Sequence, residues 1–198
     1  MVCASQPLAA QAGVDILKAG GNCIDAAICT NAMLGLSEAA SNGIGGDLFA
    51  IVWIEKDQRL YGLNASGRAP FDWNLDAAAA LGLDSIPRTS PLSWSVPGCV
   101  SGWSELSSRF GKLTLAQCLE ASIDYATNGF PLSPIISTYF EFDSKQAPSL
   151  AKVFHPDGQR PKYGEIFRNP MLANSYRAIA DGGPEAFYQG EIADRIVA

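Results

Sequence analysis

Ser41-Asn42-Gly43-Ile44-Gly45-Gly46-Asp47-Leu48-Phe49-Ala50-Ile51-Val52-Trp53 is the stretch around which the rest of the chain is organised. Gly43, Gly45 and Gly46 strip one turn of almost all side-chain bulk. The run from Leu48 to Ile54 is apolar, partly β-branched and without a polar face, so it predicts a strand buried on both sides. A long apolar helical pattern precedes the glycines. The unit is therefore helix, glycine turn, strand. Phosphate-binding glycine loops run the other way, from strand into helix, so that the helix N-terminus faces the anion. Neither GxGxxG nor GxxxxGK[ST] is present, and a nucleotide site is not expected. Two readings stay open: a tight corner under close packing, or a backbone wall beside a substrate.

The chain has 198 residues, 47% hydrophobic and 17% charged, which is the composition of one globular domain over 1–198. A net charge of -6 leaves no basic footprint for nucleic acid. No apolar run approaches the ~20 residues of a membrane span. The start, Met1-Val2-Cys3-Ala4-Ser5-Gln6-Pro7, lacks the basic and long apolar regions of a signal peptide, which favours the cytoplasm over secretion. Cys3, Cys23, Cys29, Cys99 and Cys118 form no CxxC pair and read mostly as small core residues in a reducing compartment. Metal-ligand spacing is absent and no cofactor is expected. The only histidine, His155, sits in Phe154-His155-Pro156-Asp157-Gly158 and reads as a solvated turn residue.

Pro7 opens a first helix with Leu8, Ala12, Ile16 and Ala19 on one stripe. Asn22 can cap a second, from about Cys23 to Leu36, which is apolar on almost every side and must be covered on several. Asp25 stands in its first turn, where the helix dipole favours it. After the strand at Leu48, Arg59 to Asn64 alternates and predicts a hairpin partner. Short helices are expected over Asp72–Leu81, Cys99–Phe110, Thr114–Thr127, from Pro134, over Pro170–Ala180 and over Gly190–Ala198, with a loop at Pro87–Pro91. Gly98 and Gly102, four apart, suggest close helix packing. Pro148–Asn169 reads as a surface excursion. A two-stranded hairpin is not stable alone, and the chain offers few further strands.

Ala4-Ser5-Gln6-Pro7-Leu8-Ala9-Ala10-Gln11-Ala12-Gly13, then Ile16-Leu17-Lys18-Ala19-Gly20-Gly21-Asn22-Cys23-Ile24-Asp25-Ala26-Ala27, resemble the start of γ-glutamyltranspeptidases (glutathione hydrolases). Ser41-Asn42-Gly43-Ile44-Gly45-Gly46 resembles that family's glycine signature, and Ser95-Val96-Pro97-Gly98 and Asn128-Gly129-Phe130-Pro131 match further landmarks in the same order. The resemblance implies an α+β fold, the αββα sandwich of the N-terminal-nucleophile hydrolases, of which this chain carries the helix-rich front part of the large subunit with a β-hairpin. It implies a precursor that cuts itself and a small subunit whose new N-terminal threonine is both nucleophile and base, its α-amine accepting the hydroxyl proton without a histidine. It implies a γ-glutamyl or other acylamide substrate, and a small subunit that supplies most of the central sheets.

Two departures matter. None of Thr30, Thr89, Thr114, Thr127 and Thr138 resembles the processing site, so the chain alone is expected to be inactive, with no catalytic residue of its own. The family also places an arginine just after the hairpin, on the substrate carboxylate. Aligning Ala69-Pro70 puts Ser66 there, and Arg68 lies two residues on, about 6–7 Å along an extended segment. Arg68 either takes over the carboxylate, the natural use of a guanidinium in a pocket, or points to solvent. Ser66 and Arg68 are the substrate-binding candidates. Ser66-Gly67-Arg68-Ala69-Pro70 resembles a branch acting on other acylamides. Two further readings stay open: a non-catalytic truncated paralogue serving as a binding or assembly module, and a plain helical domain with a structural hairpin.

Overall fold

The computed structural model describes residues 1–87 and 90–197. Thr89, part of the expected loop at Pro87–Pro91, and Ala198, the end of the expected last helix, lie outside the described residues. The order is α1 (Pro7–Lys18), α2 (Cys23–Ser37), β1 (Leu48–Ile54), β2 (Arg59–Ala65), α3 (Leu75–Ala80), α4 (Cys99–Phe110), α5 (Leu115–Asn128), β3 (Phe130–Pro131), α6 (Pro134–Tyr139), α7 (Pro148–Phe154), β4 (Ile166–Phe167), α8 (Pro170–Tyr188) and α9 (Glu191–Val197). These elements fall into two compact units, Met1–Gly43 with Trp103–Ala198, and Ile44–Gly102.

The first unit is built around α2. Its N-terminus is closed by a reciprocal cap: the Asn22 side chain accepts from Ile24 N at 2.8 Å, and the Asp25 carboxylate accepts from Asn22 N at 2.8 Å. Asp25 is fully buried and also accepts from Lys112 N at 3.0 Å, while Asn22 Nδ2 donates to Phe110 O at 2.6 Å. A buried carboxylate without such donors would be costly; with them it ties the start of α2 to the α4–α5 connection. Helix α2 packs against α1 and α5, and α5 against α8. Tyr176 on α8 donates its hydroxyl to Ala32 O at 2.9 Å, and Trp103 Nε1 donates to Asn31 Oδ1 at 2.8 Å. The apolar second helix is thus enclosed, as its lack of a polar face requires.

Two expectations fail in this unit. Residues 148–169 are not a mere excursion. Phe154 on α7 and Phe167 on β4 stack at 6.0 Å and join Phe130 and Phe140 in an aromatic cluster, with β4 pairing antiparallel to β3. The prolines and glycines set the turns, and the phenylalanines between them make a satellite core. His155 is not solvated. It is buried, its ring stacks on Phe142 at 4.1 Å, Nε2 donates to Phe140 O at 2.6 Å, and Nδ1 accepts from Ser144 Oγ at 2.7 Å. A carbonyl can only accept, which fixes the proton on Nε2.

In the second unit β1 and β2 pair antiparallel, Leu48 opposite Ala65 and Ile54 opposite Arg59. Glu55–Asp57 form a 3-10 turn, and Gln58 closes it in the left-handed region at φ 47°. The expected two-sided burial of β1 is not what this chain provides. Phe49, Ile51 and Trp53 are 65%, 80% and 51% exposed, and only the alternate residues are half-buried. Among the described residues the sheet has two strands, and one face of the apolar run stands largely exposed. Gly98 and Gly102 serve the hairpin rather than a second helix. A Cβ at Gly102 would meet Leu48 Cδ2 at 2.7 Å and Ala65 Cβ at 3.0 Å.

Candidate functional site

The chain leaves β2 through Ser66-Gly67-Arg68-Ala69-Pro70. Asn64 Oδ1 accepts from Ser66 N at 3.0 Å, an Asx turn that ends the strand. Gly67 then takes φ +81°, where side chains are strained, and a Cβ there would stand 1.8 Å from Val96 O. Ser95-Val96 lies directly alongside. Ser95 Oγ donates to Ser66 O at 3.1 Å, and Val96 N donates to Arg68 O at 2.9 Å. Gly98 closes the approach, since a Cβ there would stand 2.0 Å from Ala65 O. The N–H groups of Gly98 and Cys99, at the start of α4, both donate to Gly46 O at 3.0 Å. Those helix-start donors are therefore satisfied by the glycine turn. Three backbone segments, 45–47, 65–68 and 95–99, meet in one place.

The glycine turn packs closely at Gly46, whose carbonyl takes the Gly98 and Cys99 amides, and is open at Gly45. A Cβ at Gly43 or Gly45 would meet nothing within 4 Å among the described residues, although the Gly43 main chain itself lies close to Gly35 of α2. Arg68 is exposed, and its guanidinium makes no hydrogen bond or ion pair among the described residues. Ser66 is half-buried, and its hydroxyl reaches only Gly67 O, at a marginal 3.5 Å. The positive φ of Gly67 ends the extended backbone, so Ser66 and Arg68 are not successive residues on one strand face. The sequence reading missed Ser95 and the Val96 amide as the groups holding this segment. Their signal was present in Ser95-Val96-Pro97-Gly98, whose Pro-Gly pair marks a close backbone approach before a helix.

Other reactive groups have structural surroundings. Cys29, Cys99 and Cys118 are buried, which pushes each thiol up to about 12, whereas Cys3 and Cys23 are exposed and are not core residues. Thr114 caps α5 by accepting from Gln117 N at 3.2 Å. Thr127 and Thr138 donate back to helix carbonyls at 2.7 Å, and Thr30 is buried in α2. No three His, Cys, Asp or Glu side chains among the described residues gather as a metal site, and no described helix is long and apolar enough to cross a membrane. A cavity of about 810 Å³ lined by Lys152, Arg160, Lys162 and Arg168 includes no residue of the Arg68 segment.

The gamma-glutamyltranspeptidase profile matches residues 9–198. The chain belongs to that family. It is 36% identical over 201 residues to the glutathione hydrolase-like YwrD proenzyme of Bacillus subtilis, covering 100% of this chain and 38% of the relative. Among solved structures it is similar to the cephalosporin acylase of Bacillus halodurans, with TM-score 0.89 and 42% identity over 97% of this chain and 37% of that one. It is equally similar in fold to the gamma-glutamyltranspeptidase of Helicobacter pylori, with TM-score 0.89 and 26% identity over 99% of this chain and 58% of that one. The chain thus spans little more than a third of these two Bacillus relatives. Its helices and small antiparallel sheets are the front, large-subunit part of the gamma-glutamyltranspeptidase fold.

Proposed function

We propose that this chain is the substrate-holding front part of an N-terminal-nucleophile amide hydrolase or acyltransferase, acting on γ-glutamyl or related acylamide compounds. The observation that carries this is Arg68: a guanidinium without a partner among the described residues, on a backbone held at its own carbonyl and at that of Ser66. A fixed root and a free charged end suit a side chain whose partner is a ligand carboxylate. The catalytic threonine belongs to a small subunit. Its hydroxyl attacks the amide carbonyl, its own α-amine takes the proton, and the amine product leaves an acyl ester. Water or an acceptor amine then releases the acyl group. The apolar face of β1 is the seat of that small subunit's sheet, and the open side of Gly45 is a backbone wall for substrate. Ser66, standing where the family carries its arginine, together with the likeness to an acylase, favours acylamides beyond γ-glutamyl compounds.

The test compares the purified 198-residue chain with the same chain assembled with a small subunit encoded downstream, each given a γ-glutamyl anilide. Release only by the assembled enzyme, with an acylated threonine seen by mass spectrometry, is the expected result. Release by the chain alone would overturn the proposal. A downstream frame with no threonine start would replace it with the binding or assembly module.

A further inference from the structure

Ser95 is half-buried beside Gly67 and uses its hydroxyl on the main chain, not on a ligand. That hydroxyl has one hydrogen and two acceptors in reach: Ser66 O at 3.1 Å and Asp47 Oδ1, in the glycine turn, at 3.5 Å. The nearer is the carbonyl just before Gly67. The Val96 amide takes the carbonyl of Arg68 at 2.9 Å. The two bonds bracket Gly67, whose positive φ gives the bend its shape and whose missing Cβ lets Val96 O approach. Nothing else among the described residues orients Arg68.

We infer that Ser95 is a positioning residue for Arg68: its hydroxyl bond to Ser66 O, with the Val96–Arg68 bond, sets where the guanidinium reaches. This rests on the carboxylate role proposed for Arg68. Ser95 touches no substrate in this account. Loss of its hydroxyl frees the bend and moves the root of Arg68, which weakens binding of a carboxylate and leaves the chemistry at the threonine intact.

The experiment uses the assembled enzyme carrying Ser95→Ala, Ser95→Thr, Arg68→Ala, and Ser95→Ala with Arg68→Ala. Substrates are a γ-glutamyl anilide and its neutral α-carboxamide. Ser95→Ala should raise KM for the anilide about three- to ten-fold, the worth of one hydrogen bond, with kcat within about two-fold. The carboxamide should be little affected, and Ser95→Thr should retain wild-type KM. In the Arg68→Ala background, Ser95→Ala should add nothing. Hydrogen exchange at the Val96 amide should be faster in Ser95→Ala, a readout that needs no activity. A silent Ser95→Ala beside an Arg68→Ala that raises KM would overturn the positioning role and leave the Arg68 reading standing. A silent Arg68→Ala would overturn that reading and this inference with it. Unchanged exchange at Val96, or equal loss on both substrates, would also overturn the inference.

Discussion

Val96 donates its main-chain N–H to the carbonyl of Arg68 at 2.9 Å, across a glycine that leaves no room for a side chain. This pairing makes Gly67 the most restrictive position near the candidate site. Gly67→Ala places a methyl group 1.8 Å from Val96 O and forces a residue with a Cβ to φ +81°. Destabilisation of about 1–3 kcal/mol is expected from the strained conformation alone, with the clash adding to it. Denaturant unfolding of the variant beside wild type measures it, and an unchanged midpoint would contradict the described bend.

His155→Phe keeps an aromatic ring against Phe142 but removes both polar atoms. Phe140 O then loses its donor and Ser144 its acceptor. The expected cost is about 1–3 kcal/mol of stability. Turnover by the assembled enzyme, normalised to folded protein, should be unchanged, because no step assigned to the threonine needs a histidine. A large fall in kcat without loss of stability would give His155 a chemical role.

Thiol reactivity should divide the cysteines. Cys3 and Cys23 are exposed and should label in the native chain, while Cys29, Cys99 and Cys118 should label only after unfolding. Burial raises these last three to about 12, so the folded state holds their protons longer than the unfolded chain does. Their contribution to stability is therefore complete below the unfolded thiol value near 9 and is lost as pH rises from there towards about 12. Mass spectrometry of native and denatured labelling, and unfolding midpoints across that window, check both points.

The exposed face of β1 should make the isolated chain associate. Phe49, Ile51 and Trp53 stand side by side on the hairpin, and an apolar strand face of this kind recruits partners. Replacing them together, as Phe49→Ser, Ile51→Thr and Trp53→Ser, should shift sizing chromatography towards monomer and lower hydrophobic-dye binding. A wild-type chain that already runs as a monomer without binding dye would contradict the expectation.

Much of this was legible in the residues. Pro7, Asn22 with Asp25, and Thr114 announce helix starts by chemistry that acts within one turn: Pro7 opens α1 as its first residue, and Asn22 and Thr114 cap α2 and α5 where expected. The hairpin was legible because the apolar run and its alternating partner flank a polar turn. Long-range partners were not. The burial of His155 depends on Phe140, Phe142 and Ser144, which lie 11 to 15 residues away, and nothing in Phe154-His155-Pro156 reveals that cluster. The one-sided burial of β1 was hidden because an apolar run reads the same whichever chain covers it. At the candidate site the residue types were visible in Ser66, Gly67 and Arg68. The grip of Ser95 and Val96 on them was not, because it joins a hydroxyl and an amide to main-chain carbonyls 29 and 28 positions away.

The most direct test is kcat/KM of Arg68→Ala in the assembled enzyme, on an anionic acylamide and on its neutral analogue. Loss of a charge-assisted contact should cost about 1.5–3 kcal/mol, a roughly ten- to hundred-fold fall for the anionic substrate, with the neutral one nearly unchanged. Equal changes on both substrates, or a change within ~0.5 kcal/mol as for an ordinary surface residue, would contradict the account.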